Sequence, residues 1–569
     1  MTDPITTEVL WNTLTSYTDE MADKLEQSAY SPMIRDVRDY CAGIVDLEGR
    51  VIAYNSGGLP THFTDLGEDT VDGFEVFGRD GFEPGDAVMM NANYVCGQHA
   101  NNVLVYTPIF SGDEHVAFAV TRAHWQDIGG ITANRPVFGT TDSVQEGIQV
   151  RSVKVYEGGE PNEDVLRLLR YNLRQPEVSL GDLRAQVGAC RIGEQRLAGL
   201  LEEYDLDTVH EAVETVWDQS AQLAKDAVAE IPDGEYEAES VLDDDGYDFD
   251  TKVPIKLSVI VEGDQMTVDL SELADQVRGP LNSNTNVPIY IAFKALTTPH
   301  RHPDEGCLRP LDIEIPPGKI ISARAPAAMG SWSWPFPTII DTVFKALSPA
   351  IPERVAAGNA GMAYGAGFFY GTDDAGDQFV SSDILPVGWG GQPQRDGGTS
   401  GGMILGYIQD CPAEVTEAMY PVQINEYAVR EGSAGAGKYR GGFGVRRSYT
   451  LHAEAFNNGE ITRVDDPAWG LFGGEDGEPG YNTITEPGDE PTDYYHGYMN
   501  KRLEAGTSVT VRTGGGGGYG DPEERDPELV KKDVVDGYLD PEDAVDTYGV
   551  AVDENGEVDW ERTEELRND

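Results

Sequence analysis

Apolar positions near the start of the chain recur at helical spacing: Leu10, Leu14, Tyr17, Met21 and Leu25 step by four, three, four and four residues. All five fall on one face, which predicts an amphipathic helix packed on a core. The period then shortens. "CAGIVDLEGRVIAYN" (41–55) carries two apolar runs about an Asp-Leu-Glu-Gly turn, a β-hairpin pattern. "GDAVMMNANYV", "NNVLVYTPIF" and "HVAFAVTRAHW" read as further strands. Helical spacing returns over 163–231, where Val209, Val213, Val216, Leu223 and Ala227 form a stripe suited to covering one face of that sheet. Over 233–272 alternation takes over, and "VPIKLSVIVEGDQMTVDL" predicts a second hairpin.

Glycine and proline dominate 386–445, which predicts close-packed loops in a third, β-rich region. "TGGGGGYG" (513–520) has neither the Lys-Ser/Thr nor the apolar helix of a phosphate loop and is expected to be a turn or hinge. The pattern as a whole predicts an α+β, multidomain chain. A mixed-sheet N-terminal domain with helical cover (1–232) precedes a middle α+β domain (233–415), a β-rich region (416–515) and an acidic tail (516–569) expected as a solvated extension with short helices.

The 569-residue length is enough for two to four domains. Charge narrows the partners: 41 Lys+Arg against 100 Asp+Glu give a formal net charge of −59, which opposes binding to nucleic acid or an anionic membrane. With 39% hydrophobic residues the chain still has enough apolar matter for packed cores, so the acidity reads as a halophilic surface rather than disorder. Five scattered cysteines with no CxxC pair fit a reducing cytoplasm. No basic, apolar leader and no long apolar run is present, so a soluble cytoplasmic protein is expected.

Among nine histidines, His99 and His124 stand at predicted strand ends with carboxylates upstream, a donor set able to hold Zn²⁺, Mn²⁺ or Fe²⁺. A lone strand-end histidine is as readily a hydrogen-bonded structural group, and spacing leaves both readings open. "HPDEGCLRPLDIEIPPG" reads as a loop between a helix and a strand. "MGSWSWPFP" reads as an aromatic substrate wall or a buried anchor.

The motifs "SAYSPMIRDVRDYCAGIVDLEGRVIA", "RAHWQDIGG", "GCLRPLDIEIPPG", "GAGKYRGGFGV" and "GGGGGYGDPEERDPELV" occur in the order found in the hydantoinase B/5-oxoprolinase C-terminal family, which this chain resembles over residues 3–552. The resemblance implies the B-type component of an ATP-dependent amidohydrolase. A separate hydantoinase A-type partner would bind ATP and phosphorylate the carbonyl oxygen of a lactam or cyclic imide, and the B-type chain would hydrolyse the activated compound with a metal-activated water. The related ketone (acetone or acetophenone) carboxylases supply a second implied role. A third is that of a non-catalytic structural partner for the A-type chain.

The resemblance places the metal ligands on Asp39, His99, Asn102 and His124. It places assisting carboxylates on Asp127, expected to orient a liganding imidazole, and Asp36, a substitute for Asp39. The chain departs from the family pattern at Ala92, at Asn102, where an aspartate is usual, and at Trp125, where a second histidine is usual. An amide in place of a carboxylate weakens the hold on a hard dication.

Overall fold

The computed structural model describes residues 3–132, 138–362, 367–402, 404 and 406–568. The chain is α+β, with four sheets among the described residues. The opening helix, Pro4–Ser28, is capped by Asp3, whose carboxylate accepts from the Ile5 and Thr6 amides, and it buries Leu10, Leu14, Met21 and Leu25. Beneath it lies a seven-stranded sheet of β1 (Tyr40–Asp46), β2 (Val51–Tyr54), β3 (Ala87–Met90), β4 (Asn102–Ser111), β5 (Glu114–His124), β6 (Val153–Glu157) and β7 (Glu160–Pro161). Its order is β2-β1-β5-β4-β3-β6-β7 and every neighbouring pair is antiparallel.

Helices Pro4–Ser28 and Pro176–Glu203 cover one face of this sheet. A second cluster that includes Tyr54, Phe63, Phe82 and Phe118 covers the other. Burial on both faces is why β1, β3 and the start of β4 read as unbroken apolar runs. The "NANYV" end of the third predicted strand is instead a helical turn, Asn93–Cys96. On the helix Leu206–Ala229 the stripe departs from expectation. Leu223 is exposed, and contact continues through Val216, Ser220, Ala224 and Val228, because small residues at a strict four-residue step bring that helix close to its neighbours.

The second sheet, β8 (Gly234–Leu242), β9 (Val253–Glu262), β10 (Gln265–Asp269) and β11 (Leu311–Glu314), contains the predicted hairpin as β9–β10, and β11 follows the "HPDEGCLRP" loop. Two further sheets complete the chain. One joins β12 (Phe368–Thr372), β13 (Gln378–Ser381), β16 (Ala455–Gly459) and β19 (Tyr498–Leu503). The other joins β14 (Val422–Val429), β15 (Val445–Leu451), β17 (Tyr481–Thr485), β18 (Thr492–Tyr494) and β20 (Ser508–Arg512). No helix among the described residues is long and apolar enough to cross a membrane.

The glycine run after β20 is neither turn nor hinge. It is the buried axis of a bundle of extended segments, and its hydrogen bonds repeat every third residue. Gly514 and Gly517 accept from the amides of Gly388 and Gly391 at 3.0 and 2.8 Å. Gly515 and Gly518 donate to Glu478 and Glu475 at 3.0 and 2.8 Å. Gly516 and Tyr519 donate to Gly442 and Tyr439, both at 2.9 Å. Three directions in rotation are the signature of an extended helix with three residues per turn, which has no internal hydrogen bonds and gives all of them to neighbours. Only glycine fits: a Cβ on Gly515, Gly516 or Gly518 would lie 1.8, 1.9 or 1.8 Å from a neighbouring carbonyl oxygen.

The tail is more than a solvated extension. Its short helices enclose Val530, Ala544, Tyr548 and Val550 against Ala436. The buried Arg525 donates to both carboxylate oxygens of Asp396 at 2.6 and 2.8 Å and to Asp533 at 2.9 Å. That network clamps the tail onto the glycine bundle.

Between the second sheet and the C-terminal half lies a cluster of buried acids. The Asp243 carboxylate accepts from the Val464 and Asp465 amides at 2.9 and 3.1 Å. Burial pushes Asp244 up to about 6. Burial, with the charges of Asp244 and Asp243, also holds Glu460 well above its ordinary value.

Two predictions follow from this packing. Gly516→Ala should destabilise the fold by more than about 3 kcal/mol, because the clash is with backbone that cannot yield. Gly199→Ala, on an open helix face with nothing within 4 Å, should stabilise it by about 0.5–1 kcal/mol. Thermal denaturation reads both, and equal effects would refute the glycine lattice. For Glu460 the folded pKa lies above the unfolded one, so the stability it contributes is present at low pH and lost as pH rises through the folded value. Glu460→Gln should therefore raise Tm near pH 8 and leave it unchanged near pH 4; the reverse pattern would contradict an ionisation cost at this site.

Candidate functional site

Antiparallel register builds the site. Strand order β1-β5-β4 puts the ends of three strands side by side. Tyr40 pairs with Ala123 and Asn102 with His124, while the His124 amide donates to the Asp39 carbonyl at 3.0 Å. Asp39, His124 and Asn102 thus stand in a row, although they are far apart in sequence. The turn before β4 adds His99, whose ring centroid is 4.9 Å from that of His124. The short helix Pro60–Phe63 adds His62, which the sequence offered only as one of nine histidines. All five side chains are buried and line one cavity.

Hydrogen bonds divide the row into two halves. In one, His62 Nε2 lies 3.2 Å from Asp39 Oδ1, and His124 Nδ1 lies 3.6 Å from Asp39 Oδ2. Burial alone would raise the Asp39 carboxyl, but the His62 hydrogen bond and the His124 imidazole outweigh it and hold it below its ordinary value. Burial holds the His62 pKa down against the pull of Asp39. Its Nδ1 is buried without a hydrogen-bond partner, so the neutral ring donates from Nε2.

In the other half an amide relay sets the orientation. Gln98 Nε2 donates to the Thr61 carbonyl at 3.1 Å, which turns Gln98 Oε1 toward Asn102 Nδ2, 2.7 Å away. Asn102 Oδ1 must then face His99 Nε2, at 2.9 Å, while His99 Nδ1 faces the Gly330 carbonyl at 3.3 Å. The imidazole stands between two oxygen acceptors, and a neutral ring has only one N–H to offer them. A carboxylate, two imidazoles and an amide oxygen are suitable donors for a divalent cation, so the residues fit such a group chemically. As placed, no three His, Cys, Asp or Glu side chains among the described residues form a compact ligand group.

The opposite wall comes from the "MGSWSWPFP" loop and from residues beyond it. Glu146 holds the loop by accepting from the Met329 and Gly330 amides at 2.9 and 2.6 Å. Trp332 packs at 5.8 Å from the His99 ring, and both Trp332 and Trp334 line the cavity, so the loop is a wall and an anchor at once.

Two sequence expectations are corrected, and the substitution at position 125 is placed. Asp36 does not reach the cavity lining; its carboxylate accepts from its neighbour Arg35 at 2.8 and 3.0 Å. Asp127 does not serve to orient an imidazole: it accepts from the amides of Gly129 at 3.0 Å, of Gln175 at 2.9 Å and of Arg174, tying the strand end to the start of Pro176–Glu203. Trp125 does not occupy the space of a second imidazole. It follows His124 in an extended segment, so it points to the other face, into the helical core, where its Nε1 donates to Gln186 at 2.8 Å.

The family described as Hydantoinase B/oxoprolinase matches residues 3–522, and the chain belongs to it. A Pseudomonas sp. (strain NS671) protein, provisionally named as the B component of a D-/L-hydantoinase, is 32% identical over 99% of this chain and 98% of its own length. The beta chain of the Pseudomonas jessenii caprolactamase is 30% identical over 98% and 97% of the two chains. In structure, the ATP-dependent caprolactamase of P. jessenii superposes with a TM-score of 0.91 at 28% identity, covering 100% of both chains. An acetone carboxylase chain reaches 0.88 at 17% identity over 100% of this chain and 82% of its own, which is a likeness of fold.

If Asp127 is scaffold, Asp127→Ala should lower stability by about 2–4 kcal/mol, since three main-chain amides lose a buried acceptor. Activity per folded molecule should stay within about threefold of wild type. Thermal denaturation and active-fraction titration test this; a stable variant with activity abolished would restore a catalytic role.

Proposed function

We propose that this chain is the B-type component of an ATP-dependent amidohydrolase that opens a lactam or cyclic imide after an A-type, ATP-binding partner has phosphorylated its carbonyl oxygen. The observation that carries the reading is the Asp39–His124–Asn102 row, with His99 and His62, buried in one cavity of a chain that resembles the caprolactamase beta chain over nearly its full length. Phosphorylation makes the amide carbon electrophilic: water adds to it, the C–N bond breaks as a proton passes to the departing nitrogen, and a second water releases phosphate from the acyl phosphate left behind. The task left to this chain is to place and deprotonate water beside that carbon.

Asp39, ionised and fixed by His62, accepts a hydrogen bond from such a water or stabilises the imidazolium that His124 becomes on taking the water's proton. His99 and Asn102 orient the carbonyl end of the ring, and the tryptophans exclude bulk water. Asp39, His99, Asn102 and His124 would hold a divalent cation, which when bound supplies Lewis acidity and lowers the pKa of water.

Co-purification with the A-type partner and assay of ATP turnover against a panel of hydantoins and lactams tests the reading. Cleavage should require ATP and both chains, and Asp39→Asn and His124→Ala should each reduce it by at least about 100-fold. Elemental analysis should find metal in the wild type, less in His124→Ala and tighter retention in Asn102→Asp. Absence of ATP-dependent cleavage for every cyclic amide would sink the proposal. Equal, negligible metal in all three proteins with undiminished activity would remove the cation from it.

A further inference from the structure

The cavity is asymmetric in a way that bears on which cyclic amide it takes. Its floor is polar: Asp39 and the histidines, with the hydroxyls of Thr61, Ser331 and Ser333 at the margin. Its wall is apolar, made by Met33, Trp332, Trp334, Phe368, Ile384 and Ile404. No lysine or arginine is among the described lining residues, and the only carboxylate there is Asp39.

Nearby guanidinium groups are committed elsewhere. Arg122, fully buried behind the floor, is paired with Asp69; Arg35 is paired with Asp36; Arg447 sits 2.9 Å from Asp383. With no fixed cation in the described lining, a charged substituent would have to bring its own counter-ion into the cavity.

We infer that the site takes a cyclic amide or imide whose ring substituent is uncharged and apolar, and turns away one carrying a carboxylate, such as 5-oxoproline. The inference rests on the amidohydrolase reading above. With the reacting carbonyl at the polar floor, a substituent on the far side of the ring meets the indole and isoleucine wall. An alkyl group there is buried favourably. A carboxylate there loses part of its water, meets no cation on the wall, and shares the cavity with Asp39. The phosphoryl group added before hydrolysis already brings negative charge, and the −59 net charge of the chain opposes a further anion on approach.

A matched pair isolates charge from shape: 5-isopropyl-2-pyrrolidinone and 5-oxoproline have ring substituents of similar outline, and only the second is ionised. In the complex with the A-type partner, kcat/KM should favour the isopropyl compound by at least about 100-fold. Ile384→Arg, which places a cation on the wall without touching the floor, should shrink that ratio by about tenfold. Quenching of tryptophan fluorescence reads binding of each compound by Ile384→Arg and wild type whether or not turnover occurs.

Equal or better turnover of 5-oxoproline would overturn the inference and leave the amidohydrolase reading intact, as would an unchanged ratio in an Ile384→Arg protein with wild-type Tm. Preferential binding of the neutral ring without ATP-dependent cleavage of either compound would uphold the selectivity of the cavity and sink the amidohydrolase reading on which its assignment to catalysis rests.

Discussion

Backbone packed directly against backbone is the constraint on which the C-terminal half depends. At Gly515–Gly518 the neighbouring carbonyls stand where a side chain would begin, so cohesion there comes from hydrogen bonds in three directions rather than from apolar side chains. The lattice also positions the cavity wall. Val387 and Gly401 exchange backbone hydrogen bonds, 2.9 Å each way, and Ile384 and Ile404 lie three residues beyond either side of that bridge. A rigid, side-chain-free frame therefore holds apolar residues opposite a polar floor that belongs to a different sheet.

The floor depends on a second constraint, strand register. A one-residue slip between β4 and β5 would send either Asn102 or His124 to the opposite face and dissolve the row. Burial on both faces of the seven-stranded sheet fixes that register. Within the row, the buried carboxylate stays ionised because two imidazoles face it, and the amide relay through Gln98 leaves Asn102 one orientation. Position 125 explains itself in the same terms: an extended chain presents one of two successive residues to the cavity, and here that residue is His124, while Trp125 serves the helical core.

Much of this was legible in the sequence, and the gaps have physical causes. Periodicity gave the opening helix, the β1–β2 and β9–β10 hairpins and the strands that end at the site, because alternation and helical spacing record burial directly. The resemblance brought Asp39, His99, Asn102 and His124 to attention, and the fold gathers them in one cavity. His62 escaped because its role comes from a four-residue helix packed across space, for which a local pattern carries no signal. The resemblance also pointed to Asp36 and Asp127, but a neighbouring guanidinium and three main-chain amides claim their carboxylates. The glycine run misled for another reason: in isolation it reads as flexibility, and only the surrounding segments reveal how closely neighbouring backbone packs against it.

The same lattice sets an order of events during synthesis. Its axis lies at residues 514–519, yet it pairs with segments that leave the ribosome as early as residue 358. Until the axis follows, the amides of Gly388 and Gly391 lack the acceptors they have in the finished fold. The N-terminal sheet, whose pairings close within residues 40–161, can form while translation continues. The polar half of the cavity is thus assembled early and waits, open, for its apolar half until nearly the whole chain has been made.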